Sequence, residues 1–174
     1  GANLNNPLWQ TNSNSFLPGL SLNDDVTVQG SAGNDTLNLN VSRGGGGGYD
    51  QYAGNWTLNM RAGNDVLNSA RLVNGDSVDM GSGDDEVSVI ADGYTSNPAT
   101  TSPPTIATLS LTKLDGGDGN DTLKFGESGA NTTELTLTTG GATNFENIVG
   151  TAGAETIKGD ANANQLSAGT GGAD

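Results

Sequence analysis

Residues Gly116–Lys124 read GGDGNDTLK. Three glycines and two aspartates crowd the first six positions, and Leu123 then stands alone between two polar neighbours. Glycine brings no side chain and costs entropy to order, so three of them serve backbone shape, a sharp turn. Leu123 reads as the middle of a very short strand whose central side chain points inward. Asp118 and Asp121 concentrate negative charge in the turn, which is unfavourable unless something positive sits there. The chain has six Lys+Arg against twenty Asp+Glu, with no His and no Cys, for a formal charge of −14. The expected positive partner is therefore a cation that the protein does not supply.

The stretch has relatives along the chain: GSAGNDTLN (30–38), MRAGNDVLN (60–68) and MGSGDDEVS (80–88). A weaker copy, GTAGAETIK (150–158), runs directly into GDANANQLS (159–167). Each copy pairs its aliphatic residue with another nine positions earlier: Val28 with Leu37, Leu58 with Leu67, Val78 with Val87, Leu114 with Leu123, Ile148 with Ile157. The same step leads from Ile157 to Leu166. Nine is neither a helical period nor a hairpin register. It fits a six-residue turn plus a three-residue strand, two such units making one coil of a flattened spiral around a thin aliphatic ladder. Segments this short, β-branched and broken by glycine predict no helix. One GND would be ordinary turn chemistry. Four good copies, each with its aliphatic partner at minus nine, are a repeat.

These copies resemble the RTX (repeats-in-toxin) nonapeptide, G-G-x-G-x-D-x-U-x with U aliphatic, which residues 116–124 match at every defined position. The other copies lose one or both leading glycines, and the last two carry Glu155 and Asn164 in place of the aspartate. The resemblance covers about a third of the chain. It implies an all-β fold, a right-handed parallel β-roll or β-solenoid, with calcium bound between stacked turns. It also implies type I secretion from a Gram-negative bacterium, and is specific for fold and ion rather than for the parent protein's task.

The residue types suit that ion. Calcium takes six to eight oxygens in flexible geometry. Glycine lets backbone carbonyls approach a shared cleft, and Asn34, Asn64 and Asn120 tolerate left-handed backbone. Asp35, Asp65, Asp85 and Asp121 are the principal expected ligands, with the carbonyls of Gly33, Gly63, Gly83 and Gly119. Asp84 and Asp118 are secondary candidates, and Glu155 is a weaker one. No stretch has the spacing of an EF-hand loop. About five divalent ions would bring −14 to about −4, an ordinary charge for a soluble domain.

The motif acids at 35, 65, 85, 121 and 155 are unevenly spaced, while the step of nine across each motif holds. The extra length is therefore expected on the edge of the spiral opposite the calcium turns, in loops 40–54, 90–105 and 126–144. Residues 1–22, with Trp9, Phe16 and Leu17, read as an irregular N-terminal cap over open strand edges. Residues 23–125 read as the irregular solenoid, 126–147 as an inserted strand and loop that widens it, and 148–174 as regular repeats. The final GTGGAD reads as a turn cut before its strand, in a fragment of something longer. Tyr49, Tyr52 and Tyr94 fall in the loops and are read as packing residues.

The charge argues against nucleic acid, whose partners carry basic patches. No apolar run reaches membrane-spanning length, so no membrane insertion is expected, and GANLNNPLWQ lacks the layout of a signal peptide. Without His, Cys or a G-x-S-x-G elbow the chain is not read as an enzyme. The expectation is a calcium-folded structural segment of a large secreted, adhesin-like surface protein, extracellular or at the bacterial cell surface. The alternatives are a self-assembling S-layer or filament subunit, with contacts through the loops or strand edges, or the non-catalytic tail of a secreted enzyme; the same loops are the candidates to hold a surface ligand. The threonines at 136, 138 and 139 are too few for an ice-binding face.

Overall fold

A computed structural model describes residues 25–38, 54–72, 74–91, 111–125, 134–150 and 156–169. Short aliphatic and Thr-rich runs between glycine turns form strands there, as their β-branched content favours. They are β1 (Val26–Gln29), β2 (Thr36–Asn38), β3 (Trp56–Asn59), β4 (Val66–Leu72), β5 (Ser77–Asp79), β6 (Glu86–Ala91) and β7 (Lys113–Asp115). Then come β8 (Thr122–Phe125), β9 (Glu134–Thr136), β10 (Ala142–Thr143), β11 (Asn147–Val149), β12 (Thr156–Lys158) and β13 (Gln165–Ser167). The one helical element among the described residues is the 3-10 turn Thr139–Gly141. No helix among them is long and apolar enough to cross a membrane.

All pairing between these strands is parallel. One sheet has the order β1-β3-β5-β7-β10, the second β2-β4-β6-β8-β11-β13, and β9 pairs with β12 in a third. From β1 to β8 consecutive strands thus alternate between the first two sheets, and each pairs with the next strand along the chain that belongs to its own sheet. The aliphatic pairs set the register. Val28, Leu58, Val78 and Leu114 stand in line in the first sheet. Leu37, Leu67, Val87, Leu123, Ile148 and Leu166 stand in line in the second. The two sheets share one apolar cluster, to which Trp56, Met60, Met80, Phe125 and Phe145 add bulk. Met60 and Met80 take the place of the leading glycine and are fully buried, so in those units the position fills the core. Leu166, at the end of its row, is 48% exposed.

Two expectations are corrected. Strands are not uniformly three residues long: β4 has seven and β6 six, with a register shift between Leu67 and Ala70. Ile148 and Ile157 keep the step of nine but in the opposite sense. Ile148 belongs to the second sheet, whereas Ile157 pairs with Leu135 in the β9–β12 sheet. The chain between β8 and β11 supplies both β9 and β10, and β10 takes the place beside β7. The proposed cap 1–22 lies outside the described residues, as do 40–53, 92–105 and 126–133 of the loops.

Candidate metal centre

Four six-residue turns carry the chain from the first sheet to the second: 30–35, 60–65, 80–85 and 116–121. They stack in register, through bridges from Ala62 to Ser82 and from Ser82 to Asp118. Glycine permits the stacking. Gly83 and Gly119 have positive φ (132° and 154°), and a Cβ on either would overlap the carbonyl oxygen of the glycine one unit back, Gly63 or Gly83. Gly33, Gly63, Gly83 and Gly119 thus form a column in which carbonyls face the next glycine at close range. Arg61 holds φ 78° where the following turns have Gly81 and Gly117, an uncommon conformation for a side-chain-bearing residue.

Two hydrogen-bond ladders of opposite polarity tie the turns together. Along one, each backbone N–H donates to the carboxylate of the next unit: Asp35 to Asp65 Oδ1 (2.7 Å), Asp65 to Asp85 Oδ1 (2.7 Å), and Asp85 to Asp121 Oδ1 (2.8 Å). The Asp121 N–H then donates to Glu146 Oε2 (2.8 Å). Along the other, each N–H donates to the side-chain oxygen of the preceding unit: Asn64 to Asn34, Asp84 to Asn64, and Asn120 to Asp84 (2.9–3.1 Å). The first ladder is buried and acidic, the second exposed and largely amide.

The acidic ladder uses only part of its oxygens. Asp35, Asp65, Asp85 and Asp121 are at most 2% exposed, yet Asp35 Oδ1, Asp65 Oδ2, Asp85 Oδ2 and Asp121 Oδ2 are buried without a hydrogen-bond partner. A buried carboxylate oxygen left so is costly unless something positive meets it. Among the described residues three cations are engaged elsewhere: Lys113 Nζ meets Asp79 (2.5 Å) and Asp115 (3.3 Å), Lys124 meets Glu86 (2.6 Å), and Arg61 meets Gln29 (3.0 Å). Asp76 makes the contrast. It is fully buried at the other end of the first sheet and accepts the Trp56 N–H (2.8 Å), but it leaves no orphaned oxygen.

Electrostatics reflect the crowding. Burial, against the lowering effect of the accepted Asp65 N–H and with the charges of Asp121, Asp65 and Asp84 added, pushes the Asp85 carboxyl up to about 6. Burial, with the charges of Glu146, Asp84 and Asp115, does the same to Asp121. Asp65 is raised by burial and by Asp35. In the unfolded chain these groups have values near 3.8, so the metal-free fold binds more protons between about 4 and 6. The stabilisation that protons supply is complete below 3.8 and is lost as pH rises through 6. Chelator-treated protein is accordingly expected to show more β signal by far-UV circular dichroism at pH 5 than at pH 7. Less signal at pH 5 would contradict the buried ladder.

The expected residues are therefore brought together in part. Asp35, Asp65, Asp85 and Asp121 form one column beside the glycine column. Asp84 serves the exposed ladder, and Asp118 is exposed and joins the stack through its backbone. Glu155 lies outside the described residues, and the strand after it, β12, is not in the sheet that follows the acidic column. Two acidic acceptors of backbone N–H groups were missed: Glu146, half-buried, which continues the acidic ladder, and Asp76, fully buried, which accepts the Trp56 N–H away from it. Each stands two residues before an inward aliphatic, Val78 or Ile148, as the motif aspartates do; that D/E-x-U signal was there without the glycines. Among the described residues no three acidic groups converge on one point. An ion here would draw on single carboxylates supplemented by backbone carbonyls, a donor set that hard cations such as calcium accept. The chain matches no protein-family model, no curated protein and no solved structure.

Proposed function

We propose that this chain is a calcium-binding, calcium-folded structural segment of a large secreted bacterial surface protein, adhesin-like in its role. In this reading the two sheets wind as a right-handed parallel β-roll of the RTX type. Asp35, Asp65, Asp85 and Asp121, with the carbonyls of the glycine column, would hold the ions. The observation that carries it is the buried, unpartnered aspartate oxygen repeated in four successive turns. One such orphan is a local defect; four in register are a column of like charge that divalent cations would neutralise. The bound ion would supply that positive charge. The chain's own residues supply the rest: glycines that let the turns close up, N–H groups that orient each carboxylate, and an aliphatic row that ties each unit to the next. The reading assigns the segment no catalysis. Low cytosolic calcium would keep it unfolded and exportable by type I secretion, and extracellular calcium would fold it.

The test is far-UV circular dichroism in EGTA, followed by a calcium titration with magnesium as control. A coil-to-β transition with calcium and not with magnesium is the expected result. A chain that is β-folded in EGTA at pH 7, and metal-free by elemental analysis, would sink the reading. A second reading, self-assembly into an S-layer or filament, is favoured by the exposed Leu166 on β13, a strand at the edge of its sheet. Calcium-dependent, concentration-dependent growth in sedimentation velocity would select it over a calcium-folded monomer.

A further inference from the structure

Glu146 lies outside every copy of the glycine motif, yet it occupies the aspartate's structural place. It immediately precedes β11, as Asp35, Asp65, Asp85 and Asp121 precede β2, β4, β6 and β8. It stands two residues before Ile148, which is in register with Leu123. Its Oε2 accepts the Asp121 N–H at 2.8 Å, continuing the ladder by one rung. Only three residues, Asn144–Glu146, connect β10 to β11, in place of the six of the other turns. A side chain longer by one methylene suits that shorter turn. Beside it, Asp121 Oδ2 is buried and unpartnered, and it crowds the vacant side of Gly116 together with the Asn144 carbonyl oxygen.

The next unit ends the column. Asn164 is neutral, and its side chain is engaged within its own turn: Oδ1 accepts the Asp160 N–H (2.7 Å) and Nδ2 donates to Asp160 Oδ1 (2.9 Å). Asn162 closes the same turn on Asp160, through its N–H (2.8 Å) and its Nδ2 (2.9 Å). An amide–carboxylate network there does what an ion would do in the acidic turns.

We infer that Glu146, and not Glu155, is the last acidic ligand of the column, and forms with Asp121 and the Asn144 carbonyl a terminal divalent-cation site beyond the glycine motifs. The inference rests on the calcium reading above. It is tested by native mass spectrometry of the full chain in calcium, comparing wild type with Glu146→Gln and Glu155→Gln. Glutamine keeps a side-chain oxygen to accept the Asp121 N–H, so the backbone rung survives while the charge is lost. The expected result is one ion fewer in Glu146→Gln and an unchanged count in Glu155→Gln. A full count in Glu146→Gln, or a lost ion in Glu155→Gln, overturns the inference and leaves the calcium reading standing. A wild type that takes up no calcium overturns both. Should Glu146→Gln fail to fold, the side-chain carboxyl carbon NMR signals of wild-type protein labelled at glutamate decide. Late in a calcium titration, a shift at Glu146 and not at Glu155 supports the inference, and the reverse overturns it.

Discussion

Gly83→Ala is expected to abolish the cooperative thermal melt of the protein in saturating calcium, whereas Gly75→Ala keeps it at reduced stability. Both glycines have positive φ, 132° and 97°, so alanine carries a backbone penalty of about 1–2 kcal/mol at either site. Their surroundings separate them. At Gly75 the new methyl meets the Asn55 side chain at 3.0–3.3 Å, and an exposed amide can swing away. At Gly83 it would overlap the carbonyl oxygen of Gly63, which belongs to a turn held by the Gly63 N–H bond to the Ser82 carbonyl (2.8 Å) and by the rung below. Relief means prising two units apart, a loss on the order of 4 kcal/mol or more. Equal losses at the two sites would show that the turns do not pack as closely as described.

Removal of one ladder carboxylate is the second large effect. Asp85→Ala takes away the acceptor of the buried Asp65 N–H and one of the charged oxygens proposed to face the ions. In saturating calcium the expected loss is about 3–5 kcal/mol, the range for breaking a buried charge partnership. On the proposed calcium reading, the calcium concentration at the midpoint of folding should rise with it. Asp76→Ala is the matched control. It too removes the acceptor of a buried N–H, that of Trp56, but at a place without orphaned oxygens. It should cost about 1–3 kcal/mol for the unmet donor. Beyond the shift that this stability loss alone entails, it should leave the calcium response unchanged, in slope and ion count. An Asp76→Ala variant that lost an ion, or an Asp85→Ala variant that lost none, would move the metal centre to the other edge.

The register of the sheets was legible in the sequence because one aliphatic residue per unit has to face the core. Val28, Leu58, Val78 and Leu114, chosen by a step of nine, are cross-strand neighbours in the structure. The four aspartates were legible for the same reason, being two residues from that anchor. Illegible were the places where glycine was used as the guide. Glycine is demanded only where the backbone of a neighbouring unit passes close, as at Gly83. In the unit of β10 and β11 the short turn does not need it, so Glu146 carries no glycine signature. At the head of two other turns the position faces the core, and Met60 and Met80 fill it. The partner exchange of β12, from the first sheet to β9, was hidden because Ile157 keeps the nine-residue step whichever sheet it joins.

The parallel register has a mechanical corollary. Ladder partners are separated by 30, 20, 36 and 25 residues along the chain, yet they are adjacent in space, since each sheet advances by only about 4.8 Å per strand. If tension peeled off one unit, the rungs to its neighbour would give way and the whole loop of chain between them would be paid out. For the 20-residue unit that is about 70 Å of contour, and for the 36-residue unit about 120 Å. Pulled from its ends, the molecule should lengthen in a staircase of unequal steps, a shock absorber with its slack stored sideways.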